Sequence, residues 1–445
     1  METALAELKT RLAEIADLNG ANALLNWDQM TYMPPGGAAA RGRQCATLAR
    51  LAHEKLVDPA LGRLLEKLLP YEQSLPYDAD EAGLIRVTRR EYERAARVPP
   101  AFTARLNNHV AATYEAWVKA REAGDFGAVK PFLETTLALS RELAEYYPGW
   151  EHIADPLIEI SDYGFTAKDI RAIFAELRAE LVPLVEAATS RPPADDSFLR
   201  RRFPADAQLA FGLEVVERFG FDFTRGRQDR SPHPFTISFS PHDVRVTTRV
   251  KEDDLGEALF STLHEAGHAL YEQGINPAYE GSPLGGGTSA GVHESQSRLW
   301  ENLVGRSRGF WAFFYPRLQE AFPGQLGGVT ADAFYRAVNK VGRSLIRTDA
   351  DELTYNLHVM LRFDLELDLL EGKLAVDDLP EAWRERYRSD LGLAPRDDRD
   401  GVLQDVHWFG GIIGGAFQGY TLGNIMSAQF YDGAVRARPG IPAEI

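Results

Sequence analysis

The sequence is short of cysteine: Cys45 is the only one among 445 residues. A single thiol excludes an internal disulfide framework and any metal site built from thiolates. Long apolar runs are missing too. No stretch approaches the roughly 20 uninterrupted apolar residues that a membrane-spanning helix needs. The opening segment, METALAELKTRLAEIADL, carries charges every few residues and lacks the apolar core and small-residue cleavage site of a signal peptide. Basic clusters are absent as well. The chain holds 49 Lys and Arg against 65 Asp and Glu, a formal net charge of -16, and no Lys/Arg run offers a nucleic acid anything to neutralise. The expectation is a cytoplasmic protein with neither a nucleic-acid nor a membrane partner. The acidity serves solubility; an acidic groove that attracts cationic peptides is the alternative.

What is present is enough apolar material for a large core, 44% of the residues, patterned mostly for helices. Leu5, Leu8, Leu12, Ile15 and Leu18 recur at spacings of three and four, and Asn19-Gly20 is expected to stop that helix. Thr166-Ala167-Lys168-Asp169 reads as a capping box, after which Ile170, Ile173, Phe174, Leu177, Leu181 and Leu184 line one face. Loop chemistry concentrates at 33–37, 191–193, 281–291 and 395–401, but nothing resembles a long linker. Residues 1–445 are therefore read as one catalytic domain. The clear β signal lies at 235–250, where Phe235, Ile237 and Phe239, then Val244, Val246, Thr248 and Val250, alternate with polar residues around Pro241-His242-Asp243. This predicts a hairpin, whose edge could hold an extended peptide by main-chain hydrogen bonds.

Immediately after it comes His264-Glu265-Ala266-Gly267-His268. Asp254 and Glu257 suit a helix start and Gly274 a stop, so the two histidines sit one turn apart, about 6 Å along the axis, and both can reach one ion. Zinc lowers the pKa of a bound water to about 7, and a glutamate placed as Glu265 is can take its proton during attack on a carbonyl. A third ligand must come from elsewhere. Tyr271 and Gly274 stand where a metzincin extension would need Gly and His. Glu272 lies too far along the same helix to converge with the pair. Glu294, which follows a glycine-rich loop, is the better candidate, and His293 the alternative. Two His and one Glu leave a position open for water, the catalytic arrangement.

Several separated strings then carry a resemblance: Trp27-Asp28-Gln29 with 33–37 (MPPGG), His233-Pro234-Phe235, 243–247 (DVRVT), 264–268 (HEAGH), 293–296 (HESQ), 346–351 (IRTDAD) and 401–408 (GVLQDVHW). In these the chain resembles the carboxypeptidase Taq family. The resemblance implies a mostly α-helical fold of two lobes around a long substrate groove, shared with neurolysin-like peptidases. It also implies a homodimer and one divalent ion, usually zinc although another such as cobalt is compatible. The implied activity is release of single residues from peptide C-termini with broad specificity. It assigns His264, His268 and Glu294 as ligands and Glu265 as general base.

A carboxypeptidase must also bind a free terminal carboxylate, for which a buried guanidinium is best suited. Arg347 in the IRTDAD string is the choice, unless it pairs with Asp349 or Asp351; Arg245, on a strand, is the reserve. His407 and Tyr420 are candidate donors to the oxyanion. Asp405 is placed to orient His407.

Overall fold

In the computed structural model, which describes residues 2–444, helices carry the architecture and one small sheet interrupts them. The first helix, α1 (Glu2–Thr31), buries Leu8, Leu12, Ile15 and Trp27. It does not stop at Asn19-Gly20. Gly20 faces the sheet, where an added Cβ would stand 3.5 Å from the Phe239 carbonyl oxygen. Packing against that strand outweighs the roughly 1 kcal/mol that a glycine costs inside a helix. The capping box at Thr166 and Asp169 forms as expected. In the helix it opens, however, Val185 is buried and Leu184 is 54% exposed, because the apolar stripe drifts by one position beyond Leu181.

The hairpin is present, as β2 (Thr236–Ser240) and β3 (Asp243–Thr248) paired antiparallel, with Thr236 opposite Val246. A third strand, β1 (Gly226–Arg230), pairs parallel with β3 and completes the order β1-β3-β2. Its sequence, GRQDR, has no apolar alternation, so no pattern announces it. β3 leads into α2 (Leu255–Gln273), capped by the Asp254 carboxylate on the Gly256 amide and ended at Gly274. Then follow α3 (Ala290–Arg298), α4 (Glu352–Leu370) and α5 (Gln418–Ala437).

Apolar side chains form two large cores and a smaller one among the N-terminal helices. Leu263, Ala266 and Ala269 of α2 enter one large core, with Phe310, Trp311 and Phe334. Buried faces of α4 enter the other, with Trp383, Trp408 and Phe409. The HEAGH histidines sit on a helix packed into one of these cores, and the IRTDAD arginine contacts Tyr355 of a helix packed into the other.

One carboxyl lies inside the α4 core. Glu366 is fully buried, accepting from Trp408 Nε1 at 2.9 Å and the Gly414 amide at 3.0 Å. Burial raises its pKa to about 7, despite those two donors. A carboxyl raised from about 4.5 keeps its full contribution to stability below pH 4.5 and loses it as pH climbs to 7, by roughly 3 kcal/mol. Glu366→Gln keeps the acceptor and cannot ionise. Thermal melts should therefore show the variant gaining on the unmodified protein between pH 4.5 and 7, then holding a constant lead; a lead independent of pH would contradict the assignment.

Candidate active site

Two helices build the metal group. On α2, His264 and His268 are one turn apart and share a face. The helix α3 crosses it where Gly267 leaves no side chain: a Cβ there would meet the Gln296 carbonyl oxygen at 2.5 Å and Ser297 Cα at 2.6 Å. On the other flank of α3, a Cβ on Gly423 of α5 would meet Glu294 Cβ at 2.7 Å. Glycines on both sides let three backbones close around Glu294, which is buried. Its Oε2 lies 3.6 Å from His264 Nε2 and 3.4 Å from His268 Nε2, and ligand atoms from all three residues fall within 4.8 Å of one another. Two imidazoles and a carboxylate at this spacing suit a divalent ion such as zinc.

The surroundings fix each donor. His264 Nδ1 is 2.8 Å from Glu301 Oε2, which leaves Nε2 facing the group. His268 Nδ1 is 2.7 Å from His293 Nδ1, and His293 Nε2 is 2.8 Å from Glu272 Oε1. His293, the alternative ligand, thus stands behind His268, and Glu272 behind His293. Arg298 donates through Nε to Glu294 at 2.7 Å and through Nη1 to Glu301 at 3.2 Å. The turn that presents Glu301 is a π-helix, Leu299–Val304, continuing α3; such wide turns recur at functional sites. Neither Glu301 nor Arg298 was singled out from sequence, because their roles depend on that turn.

The charges are tightly coupled. Burial works against ionising Glu294, but Arg298, His264 and His268 outweigh it and hold the carboxyl well below its usual range. Burial also disfavours the His264 imidazolium, yet Glu294 and Glu301 overcome this and raise it to about 9. The same pull attracts a divalent cation in place of the proton. Glu265, buried beside His264, accepts from Thr236 Oγ1 of β2 through Oε2 at 2.7 Å. The same hydroxyl meets the Glu265 carbonyl oxygen at 2.8 Å, so the sheet edge holds both ends of the residue.

Arg347 does not pair with Asp349 or Asp351. It is buried and donates through Nε to Asp405 Oδ2 at 2.7 Å and through Nη1 to the Tyr355 hydroxyl at 3.0 Å. Asp405 also accepts from Arg362 Nε at 3.0 Å, and Arg362 is fully buried. Two guanidinium groups sharing one carboxylate leave a surplus positive charge. Asp405 does contact His407, through Oδ1 and Nδ1, and His407 Nε2 lies 3.0 Å from the Tyr420 hydroxyl. Burial raises the Tyr420 phenol, which keeps its proton at neutral pH. Tyr355 joins the two halves of the site: the Arg298 guanidinium stacks on its ring at 4.4 Å while its hydroxyl takes Arg347. Tyr355 and Arg362, like Glu301, carry no recognisable motif in isolation. Arg245 stays outside this assembly. It forks onto Asp243 at 2.8 and 2.7 Å and stacks on Trp27 and Phe239.

The chain is similar to known proteins over most of its length. The family model described as "Carboxypeptidase Taq (M32) metallopeptidase" matches residues 7–445. The chain is 44% identical over 433 residues to thermostable carboxypeptidase 1 of Thermus thermophilus, covering 95% of this chain and 84% of that protein. It is 36% identical over 419 residues to carboxypeptidase 1 of Bacillus subtilis, covering 94% and 83%. Among solved structures, the M32 carboxypeptidase of Deinococcus radiodurans superposes with a TM-score of 0.95 at 52% identity, covering 99% of this chain and 89% of that one.

The close crossing at Gly267 yields a prediction. Gly267→Ala leaves all three donor side chains intact but pushes α3, and Glu294 with it, away from the histidines. Competition titration with a metal chelator should show at least about a tenfold loss of zinc affinity, and Glu301→Gln, which weakens the hold on His264, a loss in the range of about 10–100-fold. Unchanged affinity in Gly267→Ala would mean that Glu294 does not depend on this crossing.

Proposed function

The chain belongs to the carboxypeptidase Taq (M32) metallopeptidase family, and we propose that it uses zinc to release single amino acids from peptide C-termini with broad specificity. As a member it is a hydrolase of peptide C-termini. The observation that carries the finer reading is the surplus positive charge at Arg347 and Arg362, buried beside a metal group through Tyr355. A substrate's terminal carboxylate is the anion that balances it.

The residues take the following roles. His264, His268 and Glu294 would hold the ion, which would supply Lewis acidity to polarise the scissile carbonyl and acidify water. Glu265, oriented by Thr236, accepts the proton of the attacking water and passes it to the leaving amine. Arg347 receives the C-terminal carboxylate and thereby fixes which bond lies at the metal. Tyr420 donates to the oxyanion. Asp405 holds the His407 ring through Nδ1, and His407 Nε2 in turn lies 3.0 Å from the Tyr420 hydroxyl, which fixes where that hydroxyl sits. We take residues 1–445 as one catalytic unit, place it in the cytoplasm from its composition, and infer a homodimer from the family resemblance. Light scattering at micromolar concentration should then exceed the 49.5 kDa monomer mass about twofold; a monomer mass would reject the dimer.

Two experiments test the chemistry. Glu265→Gln retains size without basicity, so turnover should fall by at least about 10²–10⁴ while the metal stays bound. Near-normal turnover in the metal-loaded variant would overturn the assignment of the base. For the anchor, peptides with a free C-terminus are compared with their amides by mass spectrometry of the products. Amides should be cleaved far more slowly, N-terminal acetylation should matter little, and Arg347→Ala should lose most of the discrimination. Arg347→Lys should recover part, since a point charge lacks the fork. Equal cleavage of acid and amide by the unmodified protein would contradict the proposal.

A further inference from the structure

The helix Asp80–Arg97 carries Arg90, Arg94 and Arg97 at spacings of four and three, which puts three guanidinium groups on one face. That face borders a cavity of about 120 Å³ walled on its other side by Tyr147, Trp150 and Pro156. None of these residues belongs to the active site. Elsewhere on the same helix arginines are engaged: Arg86 donates to the Tyr77 carbonyl oxygen and Arg89 pairs with Glu72. Among the described residues, Arg90, Arg94 and Arg97 form no ion pair and donate no hydrogen bond, and the buried nitrogens Arg90 Nε and Arg94 Nη2 have no acceptor. Arg90 is held in place by stacking on Tyr163 at 4.0 Å.

A buried guanidinium nitrogen without an acceptor is costly, and on the half-buried Arg94 burial depresses the pKa accordingly. Two carboxylates, Glu93 and Glu159, also line the cavity, but Glu159 Oε2 already accepts the Gly164 amide at 2.9 Å. Three guanidinium groups and two carboxylates line the cavity, and Glu91 flanks Arg90 and Arg94 on the same helix, yet none of these carboxylates accepts from the three arginines. An anion presenting acceptors in several directions would satisfy the unpaired forks, and a tetrahedral oxyanion does so better than a planar carboxylate. Trp150, 41% exposed, offers a flat apolar wall beside it.

We propose that this cavity is an anion site for phosphate, free or as the headgroup of a phosphate monoester, bound by Arg90, Arg94 and Arg97. The test uses the metal-loaded, full-length protein. Inorganic phosphate and phenyl phosphate are titrated against sodium chloride of matched ionic strength, following tryptophan fluorescence and melting temperature. Phosphate should give a saturable signal and raise the melting temperature, where chloride does neither. Arg97→Ala, at an exposed position, should weaken phosphate by about tenfold or more, and Arg94→Lys, which keeps the charge without the fork, should weaken it as well. Comparable affinity for the two ligands identifies free phosphate as the occupant; markedly tighter phenyl phosphate identifies a monoester whose organic part lies on Trp150. The site is overturned if chloride reproduces the signal, if both variants bind phosphate like the unmodified protein, or if succinate binds more tightly than phosphate.

Discussion

The burial of one charged carboxylate, Glu294, organises this molecule. A lone carboxylate in that position would be expensive, and it is tolerated because cationic partners surround it. Arg298 supplies a permanent one at 2.7 Å, His264 supplies a proton, and the histidine pair together suits a metal ion. The packing that buries Glu294 also aims it, since α3 is held between Gly267 and Gly423. A side chain at either glycine would separate helices whose spacing sets the ligand distances. The fold and the metal group are therefore one constraint: the helices approach closely because they are glycine-lined there, and the charge they enclose demands a cation.

Around that centre the charges continue outward in alternating sign. Glu301 steadies His264 and is itself held by Arg298. Arg298 stacks on Tyr355, whose hydroxyl takes Arg347, and Arg347 shares Asp405 with Arg362. This chain of contacts connects the lobe containing the histidines to the lobe containing the QDVHW segment. Its outer end carries excess positive charge where its inner end carries a metal group. An exopeptidase needs a positive charge for the terminal carboxylate in the same site as its metal group, and the proposed role of Arg347 rests on that pairing.

Some of this was readable in the sequence and some was not. His264, Glu265 and His268 could be placed because their relation is local: helical spacing alone puts the histidines on one face. Glu294 was reachable because a third donor was needed and a glycine-rich loop returned the chain. Arg347 came from the family resemblance, but its partner, Asp405, lies 58 positions away and no local rule links them. Glu301 depends on a π-turn and Tyr355 on the meeting of two lobes, neither of which has a sequence period. The strand Gly226–Arg230 escaped notice because its membership is decided by pairing with β3 rather than by its own composition. Helix α1 outran Asn19-Gly20 for the same reason, local preference yielding to contact with the sheet. Arg245 shows the converse: its motif was visible, but its guanidinium is spent on Asp243 and on stacking.

The central claim is that one site spans both lobes, with a divalent ion at His264, His268 and Glu294 and a peptide carboxylate at Arg347. Its most direct test is a crystal structure of the zinc-loaded protein with a non-hydrolysable dipeptide analogue, the ion located by anomalous scattering at the zinc edge. The account predicts a single strong anomalous peak among those three side chains, Glu265 within hydrogen-bonding reach of the space beside it, and the analogue's carboxylate on the Arg347 guanidinium. A zinc peak elsewhere, or a carboxylate bound away from Arg347 with the ion in place, would contradict it.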